Sequence, residues 1–310
     1  MAFLKAFGHY LPSRVVSNEE IGALVGTSAE WIFNVSGIEE RRFAAEGETV
    51  ADMAVAAAQD CMSSGGIRAT DLGLLLVASG SSERRFPGPA ASVARQLNLD
   101  SVPAVDLPLA SAGSLFGMAL AATLAPAHGP VLVVASEKMS SVVLKRPMNS
   151  STAVLFGDGA GACLIAPDAG LAEILDSALH TDGSFSEDLK LELDGPLEMN
   201  GRTVILQASR KIPRTIGSLL EKQGRAPADA ACFLMHQANQ NLIDRVAGAL
   251  GVTADKFYSN IRRYGNTSSA SMLIAAAEWE KQAGFERGRP VVFATFGAGF
   301  HWGALLAEGC

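Results

Sequence analysis

Three short segments place polar side chains with catalytic potential inside otherwise apolar stretches, where a buried polar group is costly unless it finds a partner. In DLPLASAGSLFGMAL, residues 106–120, an apolar run gives way to an Ala-rich, almost wholly apolar helix, and Ser111 opens it. A serine there lies at the positive end of the helix dipole among N–H groups without helical partners. It is either the N-cap, a favoured role for serine, or a hydroxyl nucleophile. In FLMHQANQNLIDRV, Phe233, Leu234 and Met235 deliver His236 to the end of a strand. Imidazole is the usual general base near neutral pH, and strand carboxyl ends are where α/β proteins place ligands, although a structural histidine fits there equally well. In RRYGNTSSASML, Gly265 supplies a tight turn and Asn266 precedes a Thr/Ser-rich helix start. Taken alone, Asn266 reads as a turn residue or cap.

The elements that position these residues alternate. Short apolar runs predict strands over 72–77, 102–107, 131–135, 153–156 and 162–166. Helical spacing covers 49–62, 89–97 and 111–124. The second half repeats the grammar, with strands over 172–179, 232–235, 291–296 and 302–307 and helices over about 203–223, 239–250 and 268–282. Such alternation implies parallel sheets covered by helices. Two similar halves, 1–168 with Ser111 and 169–310 with His236 and Asn266, imply a pseudo-duplicated α/β/α/β/α body.

With 310 residues, 48% hydrophobic and 18% charged, the chain can bury a large core. A net charge of −7, with no Lys/Arg stripe, argues against a nucleic-acid partner. Cys61, Cys163, Cys232 and Cys310 are far apart with no CxxC spacing, so neither a zinc site nor a disulfide framework is signalled. No apolar run approaches the ~20 residues that span a bilayer, and the amino terminus has no secretory apolar core, so a soluble, cytoplasmic protein is expected. The glycine-rich GDGAGAC, residues 157–163, lacks the spacing of a phosphate loop and is expected to make a tight turn near the site.

In this order and with these flanks, LASAG, HQAN and YGNTS, together with GDGAGAC, FGAGFHWGALL (296–306) and TSAEWIFNVSGIEERRF (27–43), resemble the β-ketoacyl-acyl-carrier-protein synthase III family over essentially the whole chain. The resemblance implies a thiolase fold and a Cys-His-Asn site whose matching positions are Ser111, His236 and Asn266. In that family the cysteine takes an acyl group from a coenzyme A thioester. The His and Asn bind the carbonyl of a malonyl thioester as it loses carbon dioxide, and the carbanion attacks the acyl-enzyme. Backbone N–H groups at Ser111 and Ala298 would form the oxyanion hole. Substrate-binding positions carried over are Trp31, against the coenzyme A adenine, Phe300, and Phe86, which in the family closes the partner's acyl pocket across a homodimer; otherwise Phe86 reads as a core aromatic before a Pro-capped helix. The partners implied are an acyl-CoA and a malonyl thioester on coenzyme A or carrier protein, with no metal or redox cofactor.

The main departure is Ser111 in place of cysteine. A helix N-terminus makes a thiolate available, whereas a hydroxyl needs a neighbouring base such as His236, and an oxygen ester is less electrophilic than a thioester. The serine is consistent with a native acyl-transfer or polyketide-priming enzyme, with an engineered trap, or with a non-catalytic subunit. An acyltransferase of secondary metabolism delivering to oxygen or nitrogen is the rival enzyme reading. The family's nucleotide-binding basic positions match Val35 and Ser150, and its carrier-docking arginine matches Asn241; Lys145, Arg146, Arg210, Lys211 and Arg214 read either as substitutes or as solvated surface charges.

Overall fold

The computed structural model describes residues 1–146, 148–193 and 195–310. Nine strands among them form one hydrogen-bonded sheet: β1 (Phe3–Tyr10), β2 (Leu74–Ala78), β3 (Ala104–Leu107), β4 (Val131–Lys138), β5 (Asp158–Ala166), β6 (Ala172–Thr181), β7 (Cys232–Met235), β8 (Pro290–Gly297) and β9 (His301–Gly309). Their order is β7-β8-β9-β6-β1-β5-β4-β2-β3. The run β1-β5-β4-β2 has the same polarity pattern as β6-β9-β8-β7, with two antiparallel pairings and then a parallel one. The two runs join where β1 pairs antiparallel with β6. This is the duplicated architecture that the two similar halves predict.

Strand alternation explains the layers. Leu74, Leu76, Val131 and Val133, with Leu234, Val291 and Phe293 of the second run, face a common core containing helices α3 (Gly113–His128) and α6 (Ser271–Gln282). Their neighbours Leu75, Val77, Leu132 and Val134 face α1 (Val50–Gly65) and α2 (Pro89–Gln96). Phe233, Met235, Val292 and Ala294 face α4 (Gly201–Lys222) and α5 (Gln240–Leu250). Both faces of each run are therefore buried, and the order helix, sheet, helix, sheet, helix follows.

Several expectations change. The sheet is mixed: among the described strands only β4–β2, β2–β3 and β8–β7 pair in parallel, and β8 and β9, joined by three residues, 298–300, are too close in sequence for a parallel crossover. Residues 153–156 are not a strand: Asn149 accepts the Ser151 N–H and starts the helix Ser150–Ala153, leaving Phe156 a single bridge to Asn266. GDGAGAC lies almost wholly within β5 and makes no turn. A Cβ on Gly161 would come within 2.6 Å of the Leu273 Cβ, so its glycine admits α6 onto the strand. Strand β1 escapes the apolar-run criterion because Lys5 and Gly8 interrupt it.

Candidate active site

Ser111 lies beyond β3 at the entrance to α3, but it does not cap that helix. Ala112 occupies the N-cap position without a side-chain bond, and Ser111 adopts φ 62°. That left-handed conformation costs a non-glycine residue about 1–2 kcal/mol and lifts the side chain off the helix axis. Its hydroxyl lies 3.3 Å from Ser268 Oγ, which also accepts the Ser111 N–H at 3.1 Å. The capping expectation is therefore overturned, and the Ser111 N–H, expected in the oxyanion hole, is donated to Ser268 Oγ here. Gly297 packs directly on this turn: a Cβ there would stand 2.0 Å from the Ala110 carbonyl oxygen.

His236 leaves the end of β7, with its N–H donated to the Ala294 carbonyl of β8 at 2.9 Å, and is buried. Its Nδ1 is 2.6 Å from Ser271 Oγ, the oxygen that accepts the Gln237 N–H at 3.1 Å. A Ser271 hydroxyl that donates to Nδ1 places the ring proton on Nε2, and one that accepts from the ring places it on Nδ1. Burial pushes the imidazole from its ordinary 6.5 down to about 3. Burial thus disfavours the imidazolium, and among the described residues His236 makes no hydrogen bond to Ser111, the group it is expected to serve as base.

Asn266 is held by its main chain, donating to the Leu155 carbonyl at 2.9 Å and accepting from Gly157 N–H at 3.0 Å. Its Oδ1 accepts the Ser268 N–H at 2.8 Å, which leaves the Nδ2 group to donate into the cavity. Ser111, His236 and Asn266 line one cavity of about 70 Å³ with Phe156, Phe296 and Gly297. On the other side of Ser111 a second cavity, about 220 Å³, is bounded by Met139, Leu189, Leu197, Ser268, Ala298 and His301. Ser111 therefore stands where two largely apolar chambers meet.

The remaining expected positions divide. Ala298 lines the second chamber beside Ser111. Phe300 lines neither: it is buried, stacks on Phe296 at 6.0 Å, and exchanges both main-chain hydrogen bonds with Asp182, so it supports the cavity wall. Trp31 is 47% exposed on the helix Ala29–Ser36 and lines neither chamber. That helix is tied to the first chamber by Asn239, whose amide donates to the Val35 carbonyl at 2.8 Å; the Asn241 amide reaches the same oxygen at 3.2 Å. Phe86 is 87% exposed, which excludes the core-aromatic reading, although Pro89 does start α2. Lys211 is ion-paired to Asp182 at 2.7 Å and lies 4.1 Å from the Trp302 ring centroid, committed to the fold and not to a nucleotide.

Sequence reasoning missed Ser268, Ser271 and Glu137. The available signal was the run of hydroxyls Thr267, Ser268, Ser269 and Ser271, all buried, each of which needs a partner. Ser269 Oγ donates to Glu137 at 2.6 Å, and the same buried carboxylate accepts from Ser81 Oγ at 2.6 Å and Gly80 N–H at 3.0 Å. Glu137→Ala is expected to cost about 3–5 kcal/mol in urea unfolding by stranding these donors, and Glu137→Gln less.

The low basicity of His236 has a stability consequence. The unfolded chain gains a proton near pH 6.5 and the native state only near pH 3. Stability from this group is complete above pH 6.5 and declines by up to about 1.4 kcal/mol per pH unit as pH falls toward 3. Urea unfolding at pH 7, 5 and 4 should show a shallower acid slope for His236→Asn.

The profile described as 3-oxoacyl-[acyl-carrier-protein (ACP)] synthase III matches residues 105–183, and the one described as the C terminal of that synthase matches 220–308. The β-ketoacyl-[acyl-carrier-protein] synthase III of Oleidesulfovibrio alaskensis is 36% identical, with 98% of each chain covered. The chain belongs to the β-ketoacyl-acyl-carrier-protein synthase III family. It is accordingly a condensing acyltransferase of the thiolase fold. The synthase III of Aquifex aeolicus is 35% identical over 96% of both chains, and its crystal structure superposes with a TM-score of 0.95, covering 99% of this chain and 100% of that one. The priming β-ketosynthase of the R1128 polyketide pathway superposes with a TM-score of 0.92 at 28% identity, covering 100% and 96%. No described helix of this family member is long and apolar enough to cross a membrane.

Proposed function

We propose that this enzyme transfers a short acyl group from a coenzyme A thioester to Ser111 and condenses it with a malonyl thioester. In the first step the Ser111 oxygen bonds to the acyl carbon, the carbon–sulfur bond breaks, and the thiol departs with the serine proton. In the second, the malonyl unit loses carbon dioxide. The enolate oxygen is held by His236 Nε2–H and Asn266 Nδ2–H, its carbon attacks the ester carbon, the ester carbon–oxygen bond breaks, and the Ser111 oxygen takes a proton from solvent. Ala298 N–H is the oxyanion donor toward the ester carbonyl.

The observation that carries this reading is the pair of neutral donors facing the cavity that also reaches Ser111. Delivery to a hydroxyl or amine would leave this donor pair with no enolate oxygen to hold. Likeness to a polyketide-priming synthase supports a priming role over chain elongation. The test is carbon dioxide release from malonyl-CoA and malonyl-carrier protein together with intact-mass detection of acyl-Ser111 across acetyl to octanoyl donors. Acylation without carbon dioxide release would favour the oxygen- or nitrogen-directed acyltransferase.

A homodimer is part of the proposal. Strand β3 ends the sheet with one edge unpaired, Val105 is 45% exposed, and Phe86 projects into solvent nearby in sequence. Sedimentation of the full chain tests it, a monomer at micromolar concentration being the contrary result.

A further inference from the structure

Ser111 has lost the base that a hydroxyl nucleophile ordinarily needs, and what touches it instead is another hydroxyl. The described non-glycine residues with positive φ are Asn98, Ser111 and Ser268, and two of these three are in contact. Residues held in sparsely populated backbone regions persist when their surroundings over-determine them, and they cluster at functional sites. Ser268, at φ 48°, is over-determined on three sides. Its N–H is held by Asn266 Oδ1 at 2.8 Å, the next residue is anchored on Glu137, and its Oγ accepts the Ser111 N–H at 3.1 Å.

With one Ser268 lone pair used in this way, the hydroxyl proton of Ser268 has one acceptor among the described residues, Ser111 Oγ at 3.3 Å. Ser111 Oγ in turn has no other hydrogen-bond partner among them. Either hydroxyl of this pair can be the donor, and with Ser268 donating, the Ser111 proton is free to point into the chambers where the thioester must sit. A donor aimed at an oxygen is worth little while that oxygen is a hydroxyl, and much more once it carries charge.

We propose that Ser268 is a positioning residue for Ser111, fixing the left-handed turn through the Ser111 N–H and directing its hydroxyl to stabilise the Ser111 oxygen as negative charge develops on it. The proposal rests on the reading of Ser111 as acyl acceptor. The Ser111 proton leaves with the departing thiol as the carbon–sulfur bond breaks, and Ser268 keeps its own proton throughout.

Glycine accepts φ 48° without strain, so Ser268→Gly removes the hydroxyl while leaving the turn allowed. The experiment is a two-by-two comparison of single-turnover acylation by acetyl-CoA, read by peptide mass, in the unsubstituted and Ser111→Cys backgrounds, with thermal unfolding of each variant to confirm folding. A thiol is acidic enough to depend far less on such a donor. Ser268→Gly is expected to slow acylation at least about tenfold when residue 111 is serine and less than about threefold in the Ser111→Cys background. Equal losses in both backgrounds overturn the proposal, since a purely structural role affects both alike. Acylation of the Ser111→Cys variant but never of the unsubstituted chain overturns the acyl-acceptor reading itself, and the proposal with it.

Discussion

Ser111→Cys is expected to raise the rate of acyl transfer from acetyl-CoA by about 10²-fold or more, and the subsequent condensation with it. The position meets the requirements of a thiolate: it is at the N-terminal entrance of α3, among N–H groups whose partial positive charge lowers a thiol's pKa. It does not meet those of an unaided serine. The nearest family-matched base, His236, is desolvated down to about 3 and is held by Ser271 through Nδ1. A missing general base is worth about 10²–10⁴ in rate, and a thiolate does not need one. The thioester so formed is also a better electrophile than the serine ester, so both half-reactions gain. Rapid-quench acylation and product formation from malonyl thioester measure the two separately. An unchanged acylation rate would mean that residue 111 is not where the acyl group bonds.

The second large effect concerns the donor pair. His236→Ala and Asn266→Ala are each expected to lower carbon dioxide release from a malonyl thioester by about 10²–10³-fold, the usual cost of removing one preorganised donor from an oxyanion site. Acylation of residue 111 should suffer much less, because neither side chain bonds to it. The double variant should lose less than the product of the two, since both donors act on one oxygen. Because the histidine donates as a neutral ring whose pKa lies near 3, decarboxylation should be flat with pH from about 5 to 8. A limb near pH 6.5 would show that the imidazole titrates in the reaction and would remove the donor assignment.

Lys211 shows why long basic side chains are hard to assign from sequence. Among five candidates to hold a nucleotide it was a reasonable one, yet it lies over Trp302 and Phe185 and pairs with Asp182, whose main chain is bonded to Phe300. Nothing in the local pattern around residue 211 distinguishes these fates, because the partners come from β9 and the segment that follows β6. Phe86 and Phe300 illustrate the same limit in opposite directions: one is solvent-exposed and the other fully packed, although both are aromatic residues in Gly/Pro-punctuated turns.

What the amino-acid sequence determined by itself was the set of elements and the identity of the polar residues at their ends. Hydrophobic periodicity is a local property, and it located β2, β4, β7, β8 and helices α1 to α6 to within a few residues. The order of Ser111, His236 and Asn266 along the chain, within their flanking blocks, was sufficient for the family. Tertiary structure decided what each of these groups does. His236 Nδ1 meets Ser271, 35 residues away, and the Ser111 N–H meets Ser268, 157 residues away. Both partners sit in a Thr/Ser-rich stretch that looks like an ordinary helix start. Hydrogen-bond partnership and desolvation are pairwise and environmental, so the surroundings of Ser111, His236 and Asn266 became distinguishable only when the two halves of the fold had closed around them.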